Sequence, residues 1–145
     1  SLESLIPNQF ALISIDTVDS LTVNMNGQTN EYAIARSTVT DEDGKTTANV
    51  VYTKDGTEIG ETTFKDFYKA LIGLERDATT DKAPAGEPYM TITFHRNTTA
   101  YPEMTLILYP YDGSFYQAVF NGETGILVNK REIEDLVGTM NVVES

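Results

Sequence analysis

The sequence predicts an α+β fold in which antiparallel strands carry two helices. In several segments apolar residues alternate with polar ones, which is typical of strands with one buried face. Two other segments repeat apolar residues at spacings of three and four, which is typical of amphipathic helices. The pairs Asn26-Gly27 and Asn121-Gly122 favour tight hairpin turns between strands. Short-linked antiparallel strands, in one or more sheets, are therefore expected, with a helix after each group.

The first half of the chain predicts three strands and then a helix. Strands are expected around residues 21–25, 32–36 and 48–53, with turns at residues 40–44 and at Asp55-Gly56. Thr63 is the predicted N-cap of the helix, and Asp66 is its capping partner. The apolar face of this helix comprises Phe64, Phe67, Tyr68, Leu71 and Leu74.

The second half predicts a β-meander followed by a second helix. Alternation places strands around residues 90–94 and 104–108, and turns bound two more strands at residues 115–120 and 125–128. Asn129 is the predicted N-cap of the helix, with Glu132 as its capping partner. The apolar face of this helix comprises Ile133, Leu136, Val137 and Met140.

At 145 residues the chain is expected to form a single domain, 1–145, with a core of ordinary size. Two internal halves, 10–76 and 88–143, are predicted to be joined by a loop at 77–87. One fixed offset aligns identical residues of the two halves, including Lys65 with Lys130, Leu71 with Leu136 and Gly73 with Gly138. Tandem β-meander-plus-helix repeats would explain this match. The alternative is a coincidence of two similar helix starts.

Charge and composition exclude several classes of function. The chain has 22 acidic and 10 basic residues and a net charge of −12, so it repels nucleic-acid phosphates. It has no cysteine and one histidine, which excludes zinc–thiolate sites and thiol nucleophiles. An oxygen-only calcium site at Asp41-Glu42-Asp43-Gly44 fails the EF-hand register, because Val39 and Val50 would occupy ligand positions. No cofactor, metal site or nucleic-acid partner is expected.

Catalysis is not indicated by any motif. His95 is the only histidine, and alternation places it on the polar face of its strand with Thr91 and Thr93. Neither a nucleophile elbow nor a phosphate-binding glycine motif occurs. Two distant carboxylates could still meet to hydrolyse a glycoside, but 22 acidic residues make some pairing expected by chance. We expect no catalytic residues, and an acid-dependent hydrolase is the third alternative.

An aromatic cluster around the second-half hairpin is the one feature that favours binding. Tyrosine combines an apolar ring with a polar tip, which suits a sugar or a protein partner. Aromatic pairs across strands also stabilise ordinary sheets. The candidate binding residues are Tyr101, Tyr109, Tyr111, Phe115 and Tyr116.

Three segments give the chain a resemblance to an uncharacterised family of bacterial extracytoplasmic domains. They are the strand Ile15-Asp-Thr-Val-Asp-Ser-Leu-Thr-Val23, the helix that begins Phe64-Lys-Asp-Phe-Tyr-Lys, and the strand and helix from Gly125 to Leu136. The chain departs from that family in having no tryptophan before the first helix. The resemblance implies an N-terminal membrane anchor and association with ABC-type transport systems, including those linked to gliding motility. It implies no catalytic residues.

No stretch of the sequence is long and apolar enough to span a bilayer, so an anchor would precede Ser1. The leading functional hypothesis is a non-catalytic, extracytoplasmic, membrane-anchored accessory domain. Its expected partner is a protein, such as a component of a membrane transporter. The alternative is a small-ligand or carbohydrate-binding module that uses the tyrosine-rich hairpin.

Overall fold

The computed structural model describes residues 13–142 of the chain, and these form one antiparallel sheet with two helices. The fold is therefore α+β, as predicted. The predicted half boundaries at residues 10 and 143 lie outside the described residues. The elements are β1 (Val18–Met25), β2 (Gln28–Thr40), β3 (Thr46–Lys54), β4 (Thr57–Ile59), α1 (Glu61–Ile72), β5 (Ala78–Thr79), β6 (Met90–Arg96), β7 (Glu103–Pro110), β8 (Phe115–Phe120), β9 (Glu123–Asn129) and α2 (Lys130–Met140).

The strands follow the order β4-β3-β2-β1-β6-β7-β8-β9-β5 across the sheet. Each half thus contributes four strands that are neighbours both in sequence and in space, followed by one helix. The halves meet at the centre of the sheet, where β1 and β6 pair antiparallel with Leu21 opposite Phe94. The two helices contact each other on one face of the sheet.

One continuous core lies between the sheet and the helices, as the alternating strands predict. On β1, Leu21 and Val23 are buried, while the intervening Thr22 stays partly exposed. Aromatic rings fill the space under α1: Tyr32 stacks on Phe67 with ring centroids 4.4 Å apart. The predicted apolar helix faces are confirmed at eight positions: Val137 packs against the core, and the buried residues are Phe64, Phe67, Tyr68, Leu71, Ile133, Leu136 and Met140. Leu74, also assigned to the first helix, is buried but follows the C-cap Gly73 and so lies outside α1.

The two helix starts differ from each other. Asn129 caps α2 as predicted, accepting a hydrogen bond from the backbone N–H of Arg131 at 2.8 Å. The predicted cap at Thr63 is wrong: α1 begins at Glu61, and Gly60 is the N-cap with no side-chain capping bond. The helix starts earlier because Gly60 directly follows β4, so the chain turns into α1 as soon as that strand ends. Glu132 also takes another role, accepting from the backbone N–H of Glu75 at 3.1 Å.

Several strands differ from their predicted extents. β2 runs from Gln28 to Thr40 and β3 from Thr46 to Lys54, well beyond 32–36 and 48–53. The predicted loop at 77–87 contains β5, which pairs with β9 at the sheet edge. The fixed offset between the halves also fails for the helices, because Gly73 is the C-cap of α1 whereas Gly138 lies inside α2.

Candidate functional site

The most exposed regular structure in the described chain is the outer part of the β2–β3 hairpin. Every residue from 35 to 50 is exposed. We call residues 35–50 the arm. The arm projects because its neighbouring strands are shorter: β1 pairs with β2 only as far as Ala33, and β4 pairs with β3 only as far as Tyr52.

The tip of the arm is an ordered turn. One oxygen of the Asp41 carboxylate accepts hydrogen bonds from the backbone N–H groups of Asp43 and Lys45, each at 2.9 Å. Gly44 has a φ of 83°, a left-handed value that glycine adopts without steric cost. The acidic run 41–43 is therefore a structured hairpin turn, as the failed calcium register suggests, and it carries three carboxylates on the tip.

The base of the arm is tied to the N-terminal end of β1. The Arg36 guanidinium donates to the carbonyls of Ile15 and Val18, each at 2.8 Å, and contacts the Asp19 carboxylate at 3.3 Å. The arm also contains two large apolar side chains that are exposed, one nearer the tip and one opposite Arg36. Val39 is 56% exposed and Val50 is 42% exposed.

The five aromatic residues that the sequence offers as candidate binding residues do not form one group. Tyr101 is 59% exposed and lies outside the strands, in the connection between β6 and β7. Tyr116 faces the helix side, where its ring centroid lies 4.8 Å from that of Tyr89. Strand alternation places Tyr109 and Phe115 on the opposite, helix-free face.

Tyr111, the fifth of these residues, lines a pocket of about 300 Å³. Its hydroxyl lies 2.9 Å from the Thr80 hydroxyl, and the Lys82 ammonium lies 5.9 Å from its ring centroid. Gln117, which is buried, forms part of the wall and donates to the Lys82 carbonyl at 2.9 Å. The segment after β5 therefore folds over the helix-free face of the sheet and creates this concave surface.

His95 lies on the polar sheet face, as alternation predicts, and bridges two neighbouring strands. Its Nε2 is 3.0 Å from the Thr22 hydroxyl, and its Nδ1 is 3.5 Å from the Glu103 carboxylate. The chain of contacts from Thr22 through His95 to Glu103 has the order of a nucleophile, a general base and an acid that orients the base. However, Glu31 presents a carboxylate 3.4 Å from the same hydroxyl, and its negative charge would oppose formation of an alkoxide. The His95 and Glu103 side chains are 39% and 64% exposed, so solvent screens the electrostatic interaction between them.

Sequence reasoning could not find the partners of His95. Thr22 lies 73 residues from His95 in the chain and becomes its neighbour only because β1 pairs with β6. Glu103 is on the next strand, and the β6–β7 register, which alternation does not determine, places it opposite His95. Among the residues that the structure describes, no group of three or more His, Cys, Asp or Glu side chains is arranged to hold a metal ion.

Comparison of the chain with known protein families, with curated proteins and with solved structures finds no match in any of the three. The resemblance to an extracytoplasmic family stays a prediction. Within residues 13–142, neither helix has the length and apolar character needed to cross a membrane.

Proposed function

We propose that the chain is a non-catalytic accessory domain that binds a protein partner through the arm. The observation that carries this proposal is the exposure of every residue from 35 to 50 in a hydrogen-bonded hairpin. An isolated two-stranded ribbon is only marginally stable in water, because it buries little apolar surface. Val39 and Val50 project from opposite faces of the ribbon, because Val39 pairs with Thr47 and Val50 pairs with Arg36. A partner that contacts both faces of the arm would bury both valines and stabilise the ribbon at the same time.

Site-specific photo-crosslinking in the native host tests this proposal. A photoreactive residue is placed at Val39 or Val50, and at Glu134, an exposed control position on α2. The same protein should be captured from both arm positions and not from the control, and should then bind the purified chain. Capture that is equal at Glu134, or none at the arm, would refute a role for the arm.

A matched pair of variants measures the contribution of the exposed valines. Val39→Ser should weaken binding of the captured partner by about tenfold, because an apolar side chain buried at an interface is lost. Val142→Ser is the control, since Val142 is 54% exposed, close to the 56% of Val39, but lies outside the arm. Equal affinity for both variants would contradict the proposal.

The cellular location and the nature of the partner belong to the same proposal. The resemblance supports an extracytoplasmic, membrane-anchored protein, with a membrane transporter component as the partner. A fusion of the full-length protein to alkaline phosphatase, which is active only outside the cytoplasm, tests the location. Low phosphatase activity with normal expression would place the domain in the cytoplasm and remove an envelope partner from consideration.

The absence of catalysis is proposed from the environment of Thr22. The Glu31 carboxylate beside its hydroxyl and the solvent exposure of His95 both oppose formation of a strong nucleophile. Incubation with an activated ester should yield no acyl group on Thr22, as measured by peptide mass spectrometry. Turnover that His95→Ala abolishes while the fold is retained would show that the chain is an enzyme.

A second candidate function is a small-ligand or carbohydrate-binding module. The pocket beside Tyr111 favours it, since its volume of about 300 Å³ is at the lower end of ligand pockets. Thermal unfolding in the presence of a panel of sugars tests it. A sugar that raises the melting temperature of the wild type but not of Tyr111→Ala would support this function; Tyr101→Ala is the control, because Tyr101 is an exposed tyrosine elsewhere.

We also propose that the two halves are tandem repeats of one β-meander-plus-helix unit. Four consecutive strands precede each helix, and the first strands of the two halves pair antiparallel at the centre. A designed chain of two identical units that forms the same sheet would support the proposal; one that does not fold would oppose it.

A further inference from the structure

We infer that the outer edge of β3, at Thr46, Ala48 and Val50, takes up an extended basic segment of the partner as an additional strand. This inference rests on the proposed function and specifies how the arm would bind. Addition of a strand to a sheet edge is a common mode of peptide recognition, in which backbone hydrogen bonds supply much of the affinity.

The direction of the backbone groups follows from the turn between β3 and β4. Asp55 and Gly56 both have positive φ and form a two-residue turn, so Lys54 and Thr57 are a hydrogen-bonded pair. The N–H and C=O groups of Lys54 therefore point toward β4. Because these directions alternate along a strand, the backbone groups of Tyr52, Val50, Ala48 and Thr46 point to the same edge.

β4 covers only one end of that edge. It pairs with β3 at residues 52–54 and ends at Ile59, because Gly60 begins the turn into α1. The edge at 46, 48 and 50 thus extends past the last residue of its neighbouring strand. Exposure of Thr46, Ala48 and Val50 agrees with an edge that is open to an incoming chain.

The sequence of this edge lacks the usual protection against strand addition. Natural edge strands are commonly shielded by charged residues, proline or a bulge. Residues 46–51, Thr-Thr-Ala-Asn-Val-Val, contain neither a charge nor a proline, and their pairing with β2 is regular. A segment of high strand propensity is therefore presented in an extended conformation.

Charge favours a basic segment over a second copy of the chain. At the tip, the three carboxylates of residues 41–43 outnumber the single ammonium of Lys45. At the other end, Lys65 pairs with Glu61 and Lys54 is directed at the Met140 carbonyl, which leaves the exposed carboxylate of Glu58 beside the edge. A second copy would bring another net charge of −12 to this acidic surface. A strand that is uncharged at its centre and has lysine or arginine at both ends complements the edge.

A labelled synthetic peptide tests the inference with purified chain. In the peptide, threonine and valine alternate between two lysines at each end, and binding is measured by fluorescence anisotropy. Ala48→Pro removes an outward N–H from the β3 edge and should weaken binding at least about tenfold. Thr38→Pro is the control: by alternation its N–H also points away from the hairpin, but on the β2 edge, so binding should be unchanged. A peptide with glutamates in place of the lysines should bind at least about tenfold more weakly.

The outcomes separate this inference from the proposed function. Equal binding of the peptide to the wild type and to Ala48→Pro, with the fold intact by circular dichroism, would overturn strand addition. Capture of a partner by the arm would still support the proposed function in that case. A dimer that forms with rising protein concentration and is abolished by Ala48→Pro would overturn the basic segment and identify a second copy as the occupant.

Discussion

The ammonium group of Lys54 donates a hydrogen bond of 2.7 Å to the backbone carbonyl of Met140, the last residue of α2. The same ammonium lies 5.6 Å from the ring centroid of Tyr32. A strand of the first half is thereby joined to the end of the helix of the second half. A cation at this position also complements the partial negative charge of the helix C-terminus.

Lys54→Met should lower the free energy of unfolding by about 1 kcal/mol, because the Met140 carbonyl loses its side-chain donor. Urea denaturation at neutral pH measures the change. Lys65→Met is the control, since Lys65 forms an exposed pair with Glu61 within α1, and it should have a much smaller effect. Equal effects of both variants would show that the Lys54 bond does not contribute specifically.

Tyr32→Phe should leave the free energy of unfolding unchanged or raise it by up to about 1 kcal/mol. The Tyr32 hydroxyl is buried and, within residues 13–142, lacks a hydrogen-bond partner. Burial, together with the charge of Asp55, raises the pKa of Tyr32 to about 12, so the phenol stays neutral at physiological pH. Thermal or urea denaturation measures the effect.

Tyr68→Phe is the matched comparison and should destabilise the fold by about 1–2 kcal/mol. The Tyr68 hydroxyl donates to the buried carbonyl of Ile13 at 2.7 Å, and this acceptor would lose its donor. A loss of stability in Tyr32→Phe as large as in Tyr68→Phe would mean that the Tyr32 hydroxyl has a partner in solution.

Asp55 should stabilise the fold at neutral pH and lose that effect in acid. Its carboxylate accepts from the Glu31 backbone N–H and from the Asn30 side chain, and these bonds lower the pKa of Asp55. A lowered folded-state pKa means that the stabilisation is complete above the unfolded-state value, about 4, and is lost as the pH falls. Asp55→Asn should therefore lower the free energy of unfolding at pH 7. The free energy of unfolding of this variant should also fall less steeply than that of the wild type as the pH is lowered. Denaturation across pH tests this, and a slope as steep as that of the wild type would contradict it.

Glu132 should have the opposite dependence on pH. Burial, reinforced by the charges of Glu75, Asp77 and Asp135, raises the pKa of Glu132. The folded state therefore favours the protonated form of Glu132. The contribution of Glu132 to the free energy of unfolding is complete at low pH and is lost as the pH rises through the folded-state pKa. Glu132→Gln keeps an oxygen acceptor for the Glu75 N–H and removes the charge. It should be more stable than the wild type at neutral pH, with no gain below about 4.5. Destabilisation of Glu132→Gln at neutral pH would show that the charged acceptor outweighs the repulsion.

Local features of the fold were predictable from the sequence, because short-range chemistry determines them. Asn26-Gly27 and Asn121-Gly122 are turns in which both residues have positive φ, and β8 begins and ends at the predicted residues. The arm was underestimated because both of its faces are exposed, so apolar alternation ends before the strands do. β4 and β5 were missed because strands of two or three residues have no measurable period.

The candidate site depends on strand order, which alternation within a strand does not determine. The arm projects because β1 and β4 end earlier than the strands beside them, which is a relation between strands. The same limit applies to the aromatic residues: Tyr109 and Tyr116 are close in sequence, but their positions on β7 and β8 place them on opposite faces of the sheet.

The central pairing of β1 with β6 has a consequence for the order of folding. The strands of the first half are made first during synthesis, and β1 can pair with β2 as soon as their tight turn has formed. Its other edge must wait until β6 has been translated. Until then a nascent chain exposes the strand that becomes the middle of the sheet, with Leu21 and Val23 only partly covered. We therefore expect this long-range pair to close more slowly than the local hairpins, and we expect the chain to be most prone to aggregation before it closes.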